Sequence, residues 1–182
     1  MCGIAGIIHR GEPTGIGDQL TQMLRSMKHR GPDSTGYALY GQPEENQLVM
    51  RFKVAEQDDM DEGFGIQQLI KDRRAEVDRR LHLLGVEVGA REDATDYAFR
   101  YKIIFDGDLR ELTNTLEDIE NVEILSIGNS LELIKDLGDA NEVCRKYELD
   151  SFVGTHAIGH VRMATESDVD IRSAHPYWAY PF

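Results

Sequence analysis

The sequence predicts a mixed fold of strands and helices, in which one domain of ordinary size carries an α/β insert. Three observations lead there. The N-terminal run Cys2-Gly3-Ile4-Ala5-Gly6-Ile7-Ile8 is apolar and interleaved with small residues, the texture of a buried strand whose backbone something approaches closely. Ala157, Gly159, Val161 and Met163 alternate with His156, Ile158, His160 and Arg162, which reads as a strand ending near Arg162. Between these runs, strand and helix patterns succeed one another over enough chain for a small separate core. The boundaries read 1–54 and 150–182 for the main domain and 55–149 for the insert.

Taken in order, Asp18 is placed to cap a helix through Lys28, with Leu20, Met23, Leu24 and Met27 on one face as core filling. Gly31-Pro32 ends that helix, and Asp33-Ser34 are turn formers before Tyr37–Tyr40. Residues 48–54 read as a strand, and an acidic cluster follows at Asp58–Glu62. From Ile66 to Leu84 a helical stripe of Ile66, Leu69, Ile70, Val77, Leu81 and Leu84 leaves Arg73, Arg74, Arg79 and Arg80 mostly on a solvated face. Tyr97–Phe105 alternates as a strand should, with aromatics and Ile103 on one side. Asp108 caps a helix carrying Leu109, Leu112, Leu116 and Ile119, and Val122–Ile127 returns as a strand. Ser130 begins a short helix that Gly138 ends, and Asp139 starts another with Glu142 placed for a capping box. Cys144 falls on the apolar side of that last helix with Ala140, Val143 and Tyr147.

Composition narrows the function. Hydrophobic residues make up 41% and charged residues 29% of the 182, the balance of a folded soluble protein. A net charge of -13 disfavours a broad nucleic-acid face, since phosphate contacts need clustered Lys and Arg. No apolar run approaches the ~20 residues that span a bilayer, so no membrane partner is expected. Two cysteines make no disulfide framework, and a cytoplasmic setting is expected.

Chemistry concentrates in three places. If Met1 is removed, Cys2 carries a thiol and a free α-amino group on one carbon. In general an α-amino group titrates near about 7.7–8.0 and a thiol near about 8.5, so such an amine can take the thiol proton. The plainer reading is a small hydrophobe starting a strand. In His29-Arg30-Gly31-Pro32-Asp33-Ser34, Arg30 and Asp33 either form a junction or brace a neighbouring active-site backbone. His156 and His160 share a face, which invites a metal, but no cysteine cluster or His-Glu-x-x-His pattern completes a site. Arg162, at the end of a buried strand, is placed to grip a carboxylate with its planar fork of donors.

Three segments in this order resemble one family. Cys2-Gly3-Ile4-Ala5-Gly6, His29-Arg30-Gly31-Pro32-Asp33-Ser34 and Gly159-His160-Val161-Arg162-Met163-Ala164-Thr165 are similar to class II glutamine amidotransferase domains, which are N-terminal-nucleophile hydrolases. The wording of the last block is most like stand-alone amidotransferase subunits of glutamate synthase. The resemblance implies an α+β fold, a four-layer αββα sandwich, of which this chain holds part, with the α/β insert. It implies hydrolysis of L-glutamine to glutamate, with ammonia passed to a synthase subunit. Cys2 would be the nucleophile, Arg162 the holder of the glutamine carboxylate, Thr165 and His175 pocket residues, and Arg30 and Asp33 supports of the cysteine loop. No metal or cofactor is implied in this chain; a flavin or iron–sulfur cluster would sit on a partner subunit.

One departure stands out. The family draws its oxyanion hole from an Asn-Gly pair, and an Asp after it contacts the substrate's amino group. This sequence has no Asn-Gly dipeptide. A longer chain or a second chain would therefore supply it. The alternative is a glutamine-binding or regulatory module that performs no chemistry, and a weaker one is a metal protein using His156 and His160.

Overall fold

The computed structural model describes residues 2–43, 45–56, 59, 60, 65–164 and 171–179. Among the described residues, backbone pairing sorts the strands into two antiparallel sheets of four, accompanied by four α-helices, an α+β arrangement. The chain divides into two compact units, one of residues up to 43 with 130–177, the other of 44–129 with the residues from 178 onward. The sequence pattern placed these divisions at 54 and 150. Pairing decides otherwise for two strands: Leu48–Lys53 is hydrogen-bonded within the second unit, and Leu131–Leu137 within the first.

In the first unit the sheet runs in the order β1 (Gly3–Ile8), β8 (His156–Arg162), β2 (Ser34–Tyr40), β7 (Leu131–Leu137). Helices α1 (Ile16–Arg25) and α4 (Ala140–Lys146) cover one face. Ala5, Tyr37, Leu39, Ile134, Ala157 and Val161 pack there against Ile16, Leu20, Leu24, Val143 and Cys144. Gly159 explains how close that packing is. A Cβ at this position would lie 2.6 Å from a Leu24 methyl, so α1 rests on bare backbone of β8.

Helix α1 begins two residues before Asp18 and stops at Arg25, and its buried face is Ile16, Gly17, Leu20, Thr21 and Leu24. Met23 is 39% exposed instead of lying in the core. Helix α4 starts as expected: Asp139 accepts from the amides of Asn141 (2.8 Å) and Glu142 (3.1 Å) while its own N–H donates to Glu142 (2.8 Å). Cys144 is buried on the apolar side of this helix. The helix expected from Ser130 is strand β7. Its charged residues look like a solvated helix face in sequence, yet Glu132, Lys135 and Asp136 are buried. Asp136 is compensated by Lys146 (2.7 Å) and the Tyr147 hydroxyl (2.9 Å).

The second unit has the order β4 (Glu87–Asp93), β5 (Ala98–Ile104), β3 (Leu48–Lys53), β6 (Glu123–Gly128), with helices α2 (Ile66–Leu83) and α3 (Leu109–Glu117). Asp108 caps α3 by accepting from the Arg110 amide at 2.8 Å. Phe52 meets Tyr101 edge-on at 5.0 Å and Phe99 at 5.4 Å. The arginines of α2 are not simply solvated: Arg74 lies 4.3 Å over the Phe99 ring, donates to the Tyr101 hydroxyl and pairs with Asp93, and Arg73 donates to the Val54 carbonyl. Most of the acidic cluster at 58–62 lies outside the described residues.

The contrast within α1 is testable. Leu20→Ala should cost about 2–5 kcal/mol in urea unfolding, as cavity-forming core truncations do, and Met23→Ala about 1 kcal/mol or less. Equal losses would contradict the burial assigned to this helix.

Candidate functional site

Strand β8 is central to the site because it pairs with β1 on one side and β2 on the other. The β1 register ends at Gly3 opposite Val161, so Cys2 and Arg162 come next at the same end of the ladder. On the other side Arg162 is paired with Ser34. Three positions far apart in sequence thus come to the same end of this sheet, with Ser34 and Arg162 paired and Cys2 just beyond the last paired residue of β1. Alternation sends Arg162, His160 and Ser34 to the sheet face opposite the helices. Cys2 is exposed, at the mouth of an edge strand, while Arg162 is 8% exposed and Ser34 fully buried.

The segment before β2 fixes this end of β8. The Asp33 amide donates to the Arg162 carbonyl at 3.1 Å, and the Asp33 carboxylate accepts from the Ala164 amide at 2.7 Å. Asp33 therefore holds the chain on both sides of Met163. Gly31 lies so close that a Cβ there would sit 2.4 Å from the Val161 carbonyl carbon and 2.5 Å from the Arg162 nitrogen. Only a hydrogen at that position allows the approach. Arg30 ends a short 3-10 turn, is exposed, and makes no side-chain bond to a described residue.

His175 belongs to the same face. Its ring lies 4.8 Å from that of His160 and 4.6 Å from Tyr177. Its carbonyl oxygen is 1.9 Å from where a Gly36 Cβ would be, and Gly36 is the β2 partner of His160. The absence of a side chain at 36 thus lets the 175–177 segment lie on the sheet. In the sequence Gly31 reads as a helix end and Gly36 carries no assigned role. A glycine inside an otherwise apolar strand, as Gly36 is, was the available signal for close backbone approach. Thr165 lies outside the described residues.

The two histidines of β8 part company. His156 stacks on its cross-strand partner Tyr40 at 4.0 Å, with its Nδ1 3.0 Å from Thr155 Oγ1. Four strand positions separate it from His160, about 13 Å along the chain, too far for both to bind one ion. The shared face that suggested a metal is real, but strand spacing defeats chelation. His160 is 7% exposed, and burial first, then His175 and Arg162, push its pKa down to about 4.

No family model matches this sequence. Over 185 aligned residues it is 34% identical to the "Putative glutamine amidotransferase" of Methanothermobacter thermautotrophicus, covering 99% of this chain and 57% of that protein. It is 32% identical over 181 residues to the "Glutamine amidotransferase-like protein GlxB" of Rhizobium meliloti, covering 97% of this chain and 54% of that one. The chain thus spans little more than half the length of these relatives, and their names support a glutamine amidotransferase domain.

The buried imidazole has a consequence for stability. Between its unfolded value near 6.5 and its folded value near 4, the unfolded chain binds a proton that the folded one refuses. The His160 contribution is therefore fully present above pH 6.5 and is lost as pH falls toward 4. A His160→Asn variant should show a shallower loss of stability over that window in urea titrations at stepped pH. An unchanged slope would contradict a neutral, buried His160.

Proposed function

We propose that the chain forms the glutamine site of a class II amidotransferase, an N-terminal-nucleophile hydrolase that splits L-glutamine into glutamate and ammonia. The single observation that carries this reading is the juxtaposition of an exposed Cys2 with a buried Arg162 at one end of the β1–β8 ladder. An arginine fork and a reactive thiol are the two groups needed to hold an amino-acid carboxylate and attack an amide. The names of the two relatives point the same way.

In this mechanism Met1 is removed and the Cys2 amine accepts the thiol proton. The thiolate attacks the side-chain carbonyl of glutamine. The ammonium so formed then protonates the departing ammonia, leaving a γ-glutamyl thioester. Water, deprotonated by the same amine, releases glutamate. Arg162 holds the distant carboxylate so that the amide meets the sulfur in a reactive pose, the main source of advantage in such a site. His175, on the same sheet face as Arg162, and Thr165, by resemblance alone, are the candidate substrate-contacting residues beside it. Asp33 keeps the strand end that carries Arg162 in place. The fold would be a four-layer αββα sandwich. An oxyanion donor, the role of the family's Asn-Gly pair, would come from a segment or chain outside these 182 residues. The ammonia would pass to a glutamate-synthase-like partner, where any flavin or iron–sulfur cluster would reside.

The second reading is a module that binds glutamine without cleaving it. The two diverge in one experiment on the intact protein. For the enzyme, Cys2→Ala should lower ammonia release at least ~10³-fold, the scale of losing a covalent nucleophile, while leaving glutamine binding in place. Arg162→Ala should weaken glutamine binding ~10-fold or more, as expected for a lost charge-assisted contact. Saturable glutamine binding with no ammonia released by the unaltered protein would select the binding module. Absence of binding would reject both.

A further inference from the structure

Two buried polar atoms flank Arg162 on the site face, and the described fold gives neither a hydrogen-bond partner: Ser34 Oγ and His160 Nδ1. Ser34 has no exposed surface and His160 only 7%. Native proteins seldom leave such atoms unsatisfied, and each one calls for an explanation. Their placement is specific. Ser34 stands directly across from Arg162 in the β2–β8 ladder, and His160 is two residues earlier on β8, on the same face. Cross-strand neighbours bring their Cβ atoms to about 5 Å and same-face neighbours along a strand to about 6–7 Å, so all three can reach one small ligand.

What remains is the sort of group that fits. Arg162 has only donors to give, which suits a carboxylate. An α-amino acid carries, one carbon from that carboxylate, an ammonium with three N–H donors and no acceptor. A serine hydroxyl has lone pairs to offer. A neutral imidazole has one bare nitrogen, and the crowding that holds His160 neutral preserves it.

We propose that Ser34 Oγ and His160 Nδ1 accept hydrogen bonds from the α-ammonium of the amino acid whose carboxylate Arg162 binds. They are then specificity residues: they select an α-amino acid over an otherwise similar carboxylic acid amide. This rests on the reading of Arg162 given above and adds to any contact from residues outside this chain. The His175 ring lies tilted against that of His160 at 4.8 Å, and neither Ser34 nor His160 takes part in the bond-breaking step.

The test compares two ligands, L-glutamine and 5-amino-5-oxopentanoate, which is glutamine without its α-amino group. Affinities are measured by calorimetry on the intact protein carrying Cys2→Ala, so that nothing turns over. The starting protein should prefer glutamine. Ser34→Ala and His160→Phe should each cut that preference about tenfold or more, the scale of a hydrogen bond to a charged group, mainly by weakening glutamine. His160→Asn, which keeps a polar atom near the place of Nδ1, should restore most of it. A purely structural role would weaken both ligands alike and leave the ratio fixed. An unchanged ratio in Ser34→Ala and His160→Phe proteins that melt like the parent, or no preference in the parent, overturns the proposal. If Arg162→Ala still abolishes binding of both ligands, only this inference falls. If Arg162→Ala binds glutamine normally, the reading of Arg162 falls with it.

Discussion

The double pairing of β8, to β1 on one edge and β2 on the other, is the constraint from which the site follows. A β ladder fixes register because a slip by one residue turns every side chain to the opposite face. Here the helix-covered face demands Ala5, Ala157, Val161 and Tyr37, so the even-numbered residues of β8 have no choice of direction. Arg162, His160 and Ser34 are placed on the other face by the packing of apolar neighbours that touch no ligand. Position is therefore set by hydrophobic burial, and chemistry by the residues left over.

Close backbone approach makes that placement firm. Gly159 lets Leu24 of α1 press on β8 from one side. Gly31 brings the turn before β2 against Val161 and Arg162, and Gly36 admits the 175–177 segment over His160. At each point a methyl group would meet another atom at 2.6 Å or less. Asp33 adds directional bonds to Arg162 and Ala164, so the strand end is held by polar contacts as well as contact distances. Such a scaffold suits a binding group that works only when its geometry is kept from wandering.

Much of this was legible in the sequence, and the failures are instructive. Strands β1, β3, β5, β6 and β8 announced themselves by alternation or apolar runs, and the capping box of α4 by the spacing of Asp139 and Glu142. Strand β7 was missed because buried Lys135 and Asp136 imitate the polar face of a helix; their partners, such as Lys146, are invisible until the chain folds. Strand β4 lies at a sheet edge and is mostly exposed, so Glu87–Asp93 carries almost no hydrophobic signal. At the site, Cys2, Arg162 and Asp33 stood out by residue type. That Ser34 lies across from Arg162 did not, since register between strands so distant in sequence is a property of the assembled sheet. His156 and His160 were paired on paper by a shared face and are parted by the length of four strand residues.

The central claim is that the thiol of Cys2, activated by its own α-amino group, forms a covalent bond to the glutamyl group of glutamine. The most direct measurement is mass spectrometry of the N-terminal peptide after brief exposure of the intact protein to glutamine and an acid quench. The expected result is a peptide that begins at Cys2, with a free amine and one γ-glutamyl group on its sulfur. Ammonia release from a protein whose N-terminal peptide still carries Met1, or whose only adduct is on Cys144, would contradict it.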